Sequence, residues 1–186
     1  MSQVATDKLL VDAAAVAAGL DRMVHEIVAR KLTGERLALI GIRRGGEPVA
    51  QRLIELLETH TGQTPELGSI DITLYRDDAA TALPNPLIGP SNIPFDVSGR
   101  RVVLVDDVLY SGRTIRAALD ALLDYGRPRC IELAVIADRG GRELPIQPDY
   151  CAVKVEVPAE DRVEVRPDDL CVLHRTAGAL SGGDAR

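Results

Sequence analysis

The sequence is poor in the residues that would tie it to a structural metal, a membrane or an oxidising compartment. Its three cysteines, Cys130, Cys151 and Cys171, are odd in number, stand about twenty residues apart and form no Cys-x-x-Cys pair. That spacing suits neither a zinc site nor a disulfide framework, so they read as reduced thiols on or near core strands. No apolar run approaches the roughly 20 residues that span a bilayer. Met1 to Lys8 lacks the basic start, apolar middle and cleavage pattern of a signal peptide, and the expected location is the cytoplasm. Cations are outnumbered: 22 Lys and Arg against 28 Asp and Glu leave a formal net charge of −6. This argues against a general nucleic-acid binder while leaving room for one basic face.

What is present is a hydrophobic share of 46% in 186 residues, enough for one α/β domain over 1–186, with 176–186 as a frayed tail. Asp12 to Lys31 predicts an amphipathic helix, with Val16, Leu20, Met23, Val24, Ile27 and Val28 at helical spacing. Leu37–Ile42 is too short for a buried helix and predicts a strand. It runs into Arg43-Arg44-Gly45-Gly46, after which Pro48 suits the first turn of a helix reaching Thr59. Ser69–Tyr75 alternates like a strand, and a long segment follows with Pro84, Pro86, Pro90 and Pro94. Arg101–Val105 and Cys130–Ala137 predict buried strands, with a helix from Thr114 to Tyr125 between them. Tyr150–Val157 and Val163–Val165 predict shorter strands. Strand, turn and helix in alternation give a mostly parallel central sheet flanked by helices.

The chemistry concentrates in Val102-Val-Leu-Val-Asp-Asp-Val-Leu-Tyr-Ser-Gly-Arg-Thr114. An apolar strand delivers Asp106 and Asp107 to its C-terminal edge, where open α/β sheets bind ligands. Neighbouring strand residues point to opposite sides, so the pair suits two ribose hydroxyls, or one hydroxyl and one hydrated Mg²⁺. Both carboxylates are expected to face solvent or ligand. Gly112 permits close backbone approach, and the first amides of the following helix can bind a phosphate, assisted by the Ser111 and Thr114 hydroxyls. Alternatively, Asp138 after the next strand serves only to cap a turn.

This stretch closely resembles the binding signature for phosphoribosyl pyrophosphate (PRPP) in type I phosphoribosyltransferases. Together with Asp71–Asp78, Asn92–Phe95, Ala117–Leu122, Tyr125–Pro128 and Asp138–Ile146, it resembles the PyrR family over roughly residues 12–157. The resemblance implies a type I phosphoribosyltransferase fold and transfer of the phosphoribosyl group of PRPP to uracil, giving UMP and pyrophosphate with Mg²⁺. It implies catalytic roles for Asp106, Asp107 and Arg76, with the metal held by the two aspartates through water or PRPP. The 5′-phosphate falls to Val108, Leu109, Tyr110, Ser111, Gly112, Arg113 and Thr114. A pyrophosphate loop falls on Arg43, Arg44, Gly45 and Gly46, a lid on the segment opened by Arg76, and uracil contacts on Ile136, Ala137, Asp138 and Arg139. Tyr110 stands where purine enzymes with a similar signature carry an acid, which argues against a purine base. The family's regulators also bind pyrimidine-operon leader RNA, implied here at Arg22, His25 and Arg142. Asp21 and Gln147 depart from the usual neutral and basic residues beside those contacts. A homodimer or higher homo-oligomer is expected by analogy. Two rivals stay open: an RNA-binding attenuator that only senses UMP or UTP, and a phosphoribosyltransferase for another base.

Overall fold

A computed structural model describes residues 8–30, 35–76 and 90–176. Lys31, the lid positions Asp77 and Asp78, and residues 177–186 of the expected tail lie outside the described residues. In chain order the elements are β1 (Lys8–Val11), α1 (Ala13–Ala29), β2 (Leu37–Ile42), α2 (Gly46–Thr61), β3 (Glu66–Ile70), β4 (Arg101–Leu109), α3 (Arg113–Leu123), β5 (Cys130–Asp138), β6 (Tyr150–Lys154), β7 (Arg162–Val165) and β8 (Val172–Arg175). Five strands form a parallel sheet in the order β3-β2-β4-β5-β6. β4 and β5 carry its longest ladder, and buried β2 and β4 are apolar because helices cover both faces. Val103 and Val105 join the core under α1 and α2, whereas Val102 and Leu104 pack against α3. No helix among the described residues is long and apolar enough to cross a membrane.

Several elements differ from expectation, among them the strand anticipated at Tyr150–Val157, which ends at Lys154. The strand anticipated at Ser69–Tyr75 lies earlier, at Glu66–Ile70, and Thr73–Tyr75 instead close a 3₁₀ turn. The Asp71 side chain accepts the Thr73 N–H at 2.8 Å, and the Asp71 N–H goes to Ser91 Oγ at 2.9 Å rather than to a ladder. β4 continues four residues past Val105, so both aspartates lie inside a strand. β1, β8 and β7 make a separate antiparallel sheet in that order, of which only β7 was anticipated.

At the N-terminal end of the sheet Arg101 is 2% exposed. It donates to Glu35 Oε1 at 2.9 Å, Glu132 Oε2 at 2.8 Å, the Ile27 carbonyl at 3.1 Å and the Tyr150 hydroxyl at 2.7 Å. Burial, reinforced by its hydrogen bond to Glu132, pushes the Tyr150 phenol up to about 12. Removing the cation strands two carboxylates beside each other in a poorly hydrated place. Arg101→Ala is therefore expected to lower stability by about 3–5 kcal/mol. Arg52→Ala, which breaks a half-exposed pair with Glu55, should cost less than about 1 kcal/mol. Urea unfolding midpoints of the two variants check the contrast.

Candidate active site

Asp106 and Asp107 end the apolar run of β4 and keep its alternation, Asp106 on the α3 side and Asp107 on the α1–α2 side. Asp106 does not face solvent as expected: it is 5% exposed, because β4 continues beyond it with β5 alongside. Its Oδ1 accepts the Asp107 N–H at 3.0 Å, and Asp107 Oδ1 accepts the Val108 N–H at 2.8 Å. Burial, and then the adjacent Asp107 charge, hold the Asp106 carboxyl well above the usual carboxylate range. Among the described residues no Lys or Arg forms an ion pair with either carboxylate.

Asp107 is half-buried and lies under the β2–α2 loop. A Cβ on Gly45 would stand 2.4 Å from its carboxylate, and one on Gly46 would stand 2.1 Å from the Val105 carbonyl oxygen. Only glycine at 46 lets the loop lie this close to β4. The Arg43–Arg44 peptide is cis. Arg43 donates to the Pro90 carbonyl at 2.6 Å and lies 3.7 Å from Glu47, whereas the Arg44 side chain is exposed. Arg76 is exposed at the end of the 3₁₀ turn. That turn is braced on α3, with the Tyr75 hydroxyl donating to Asp124 and Arg116 donating to the Tyr75 carbonyl at 2.9 Å.

On the other side of β4, Tyr110-Ser111-Gly112 leads into α3. Gly112 has φ +91°, a conformation that favours glycine, and as the N-cap it offers no side chain, while the first helical N–H, of Arg113, reaches Ser111 Oγ at 3.4 Å. α2 likewise starts at Gly45 without a side-chain cap. α1, in contrast, is capped by Asp12 through the Ala15 N–H at 2.9 Å. The starts of α2 and α3 therefore bring their remaining first-turn amides to the same edge as the aspartates. Of the expected phosphate residues, Ser111 and Thr114 are partly exposed and Leu109 is buried. Arg113 turns aside to Glu143, at 2.7 Å.

At the end of β5, Ile136 and Ala137 are fully buried in the sheet. The Arg139 N–H bonds the Leu109 carbonyl at 3.1 Å, and its guanidinium carbon lies 4.0 Å from the Tyr110 ring centre. Asp138 pairs with Arg142 at 2.7 Å and accepts the Gly140 N–H at 3.0 Å. Arg142, implied at an RNA face, is engaged inside: its side chain is 13% exposed and donates to the Tyr110 and Ile146 carbonyls at 2.9 and 2.8 Å. It braces the loop after β5 against the loop after β4. Arg22 and His25 do lie on the exposed side of α1, with Arg22 donating to the Ala152 carbonyl at 2.7 Å. The sequence reading missed Asp161 and His174, whose side chains meet at 2.7 Å behind Arg139. Thirteen residues separate them, and no local motif joins them.

A family profile described as "Phosphoribosyl transferase domain" matches residues 8–170. A "Bifunctional protein PyrR" of Roseiflexus sp. (strain RS-1) is 47% identical over 176 residues, covering 95% of this chain and 93% of that protein. A protein of the same name from Geobacter sulfurreducens is 45% identical, covering 87% and 95%. Among solved structures, a hypoxanthine phosphoribosyl transferase of Trypanosoma cruzi aligns with a TM-score of 0.66 at 15% identity, covering 84% of this chain and 82% of that one. One from Staphylococcus aureus aligns at 0.63 and 15%, covering 81% and 79%. At that identity the likeness is one of fold.

Asp106→Asn keeps the oxygen that accepts the Asp107 N–H and removes the charge. A carboxyl raised by folding is protonated in the native chain while its unfolded counterpart, at about 3.9, has ionised. Stability therefore falls as pH climbs from that value towards the raised one. The variant is expected to melt higher than the wild type at pH 7 and to lose this advantage near pH 4. Paired thermal melts read it, and identical curves at pH 7 would show that the buried charge is already compensated.

Proposed function

Because the chain belongs to the phosphoribosyl transferase family, and within it to the PyrR proteins, we propose that it converts uracil and PRPP to UMP and pyrophosphate. The observation that carries this reading is the Gly45–Gly46 loop laid over Asp107, with two helix starts at one sheet edge. Such an edge suits a ligand anionic at both ends with a polyhydroxylated middle. The Val108–Thr114 loop holds the 5′-phosphate through backbone amides and the Ser111 and Thr114 hydroxyls. Gly45 and Gly46 amides, with Arg43, Arg44 and Arg76, hold the pyrophosphate. Asp107 meets the ribose hydroxyls directly, with Asp106 behind it. The end of β5, at Asp138 and Arg139, receives uracil beside Tyr110.

The donor chemistry fits Mg²⁺. Two carboxylates without a cationic partner supply hard oxygens, and no group of three or more metal-binding side chains occurs among the described residues. Asp106 and Asp107 would hold the ion through water or through oxygens of PRPP. When bound, Mg²⁺ supplies charge neutralisation for the departing pyrophosphate. The protein's own part is positional and electrostatic. The bond from ribose C1′ to pyrophosphate lengthens, positive charge grows on the ribose, and the Asp107 carboxylate stabilises it while uracil is held at the opposite face. No covalent enzyme intermediate is required.

A second role follows from the relatives being named bifunctional. The exposed α1 face with Arg22 and His25 supports contact with pyrimidine-operon leader RNA; Arg142 is committed elsewhere. Filter binding with that RNA should show saturable binding strengthened by UMP, and its absence would remove the regulatory role.

Pyrophosphate release from PRPP and Mg²⁺ with uracil, orotate, hypoxanthine or adenine decides the substrate. Turnover with uracil is expected, and turnover confined to a purine overturns the assignment. Asp107→Asn should lower kcat/KM for PRPP by about 100-fold or more, as for loss of one preorganised electrostatic group. Full activity in that variant would mean the ribose lies elsewhere.

A further inference from the structure

The phosphoribosyl chemistry leaves two imidazoles unused, and they meet where α1 packs beside α2. We propose that His25 and His60 form a site for one divalent transition-metal ion of the zinc, nickel and copper group, held between the two helices with water completing its shell. The site goes beyond the catalytic and RNA readings and stands without either.

His25 follows the core residue Val24 on α1, and His60 lies three residues after the core residue Leu57 on α2. The packing that buries Val24 and Leu57 thus brings both rings to the surface side by side. Their centres stand 4.9 Å apart, with the ring planes at 83°. Each ring is tied down through the same nitrogen. His25 Nδ1 lies 2.7 Å from the Asp21 carbonyl oxygen, and His60 Nδ1 lies 2.9 Å from that of Leu56. A carbonyl only accepts, so each Nδ1 carries the proton and donates. The lone pair of the neutral ring is then on Nε2, and among the described residues neither Nε2 has a hydrogen-bond partner. One nitrogen anchored on an oxygen acceptor with the other left open is the arrangement that orients metal-bound histidines.

The spacing fits one ion. With metal–nitrogen bonds of about 2.0–2.1 Å and a ring centre about 1.1 Å beyond each nitrogen, two imidazoles on a tetrahedral ion have centres about 5 Å apart. Rotation about the metal–nitrogen bonds leaves the ring planes free, so the observed interplanar angle is compatible. Both side chains are exposed, and a small side-chain turn can aim the two Nε2 atoms at one point without moving the helices. Imidazole nitrogen suits zinc, copper and nickel, whereas Mg²⁺ and Ca²⁺ take oxygen. No third His, Cys, Asp or Glu joins the pair among the described residues, so water fills the remaining positions. Arg22, three residues before His25, is committed to the Ala152 carbonyl and to Glu26. An ion bound here would add positive charge to the exposed α1 face of a chain whose net charge is −6.

Titration calorimetry and thermal melts of the untagged full chain with Ni²⁺, in excess Mg²⁺ so that carboxylate sites are filled, test this. One Ni²⁺ per chain is expected, and saturation should raise the melting temperature by about 5 °C or more, because the ion binds the native helix pair and not the unfolded chain. His25→Gln and His60→Gln keep a polar side chain on an exposed helix face and remove the imidazole. Each should weaken binding at least about tenfold and lose most of the shift, with a metal-free melting temperature within about 2 °C of the wild type. Cys130→Ser removes the exposed thiol and should bind as the wild type does. The third histidine, His174, is held by Asp161 and stays in every variant. Absence of saturable binding in the wild type, full-strength binding in either His variant, or loss of binding in Cys130→Ser overturns the site. None of these results bears on uracil turnover or RNA retention, which are measured without Ni²⁺.

Discussion

Asp106 is buried beside Asp107 at the end of a parallel strand, and among the described residues neither carboxylate has a cationic side chain in an ion pair. Ionising both costs free energy, because one is desolvated and the two repel. A polar pair in the middle of a sheet persists where its environment becomes favourable with ligand present, which is the usual reason for a local violation of folding rules. Here the compensation would come from positive charge that is not part of the chain, on a metal or on a ribose losing its leaving group. The rest of the edge is built around that deficit. Gly46 allows the β2–α2 loop to close over β4, Gly112 turns the chain into α3, and neither helix has a side-chain bond from its N-cap residue.

The strands and helices that form this edge were legible because their determinants are local. Apolar runs bounded by glycine or proline identify β2, β4 and β5, and the spacing of Val16 to Ile27 identifies α1. The end of β4 was not legible. Asp106 and Asp107 break the apolar pattern, and only pairing with β5 on the flank keeps them in the strand. Ser69–Tyr75 failed for the opposite reason: its alternation continues, yet Asp71 diverts the backbone into a turn. β1 and β8 escaped notice because two four-residue strands at opposite ends of the chain carry almost no periodic signal until they pair with each other.

Site residues divide in the same way. The runs Asp106–Thr114 and Arg43–Gly46 meet at one sheet edge, where Gly45 lies over Asp107, although Asp106 is buried and Arg113 turns to Glu143. Long-range partners are set by tertiary packing. Arg142 has the charge of an RNA contact, but the carbonyls of Tyr110 and Ile146 and the Asp138 carboxylate surround it, and no property of the sequence near 142 announces them. The exposed α1 face keeps Arg22 and His25, so the basic contribution there is smaller than the sequence alone implied. Solved purine enzymes share this fold at 15% identity.

The net charge of −6 looks unfavourable for a ligand with several phosphates, and the resolution is one of distance. At physiological salt, exposed charges further apart than about 8 Å are largely screened, so acids elsewhere on the surface matter little. On the proposed assignment the ligand meets only the local set: first-turn amides of α2 and α3, the arginines at 43, 44 and 76, and the aspartates. A helix start contributes only about 0.3–1 kcal/mol when exposed and up to ~2 when partly buried, so two of them cannot retain a polyanion against the repulsion of a nearby carboxylate such as Asp107. With the ligand placed as proposed, the Asp107 carboxylate would disfavour the anion alone and favour its magnesium complex. By that argument the proposed site would select the metal-bound form of the substrate before any chemistry begins.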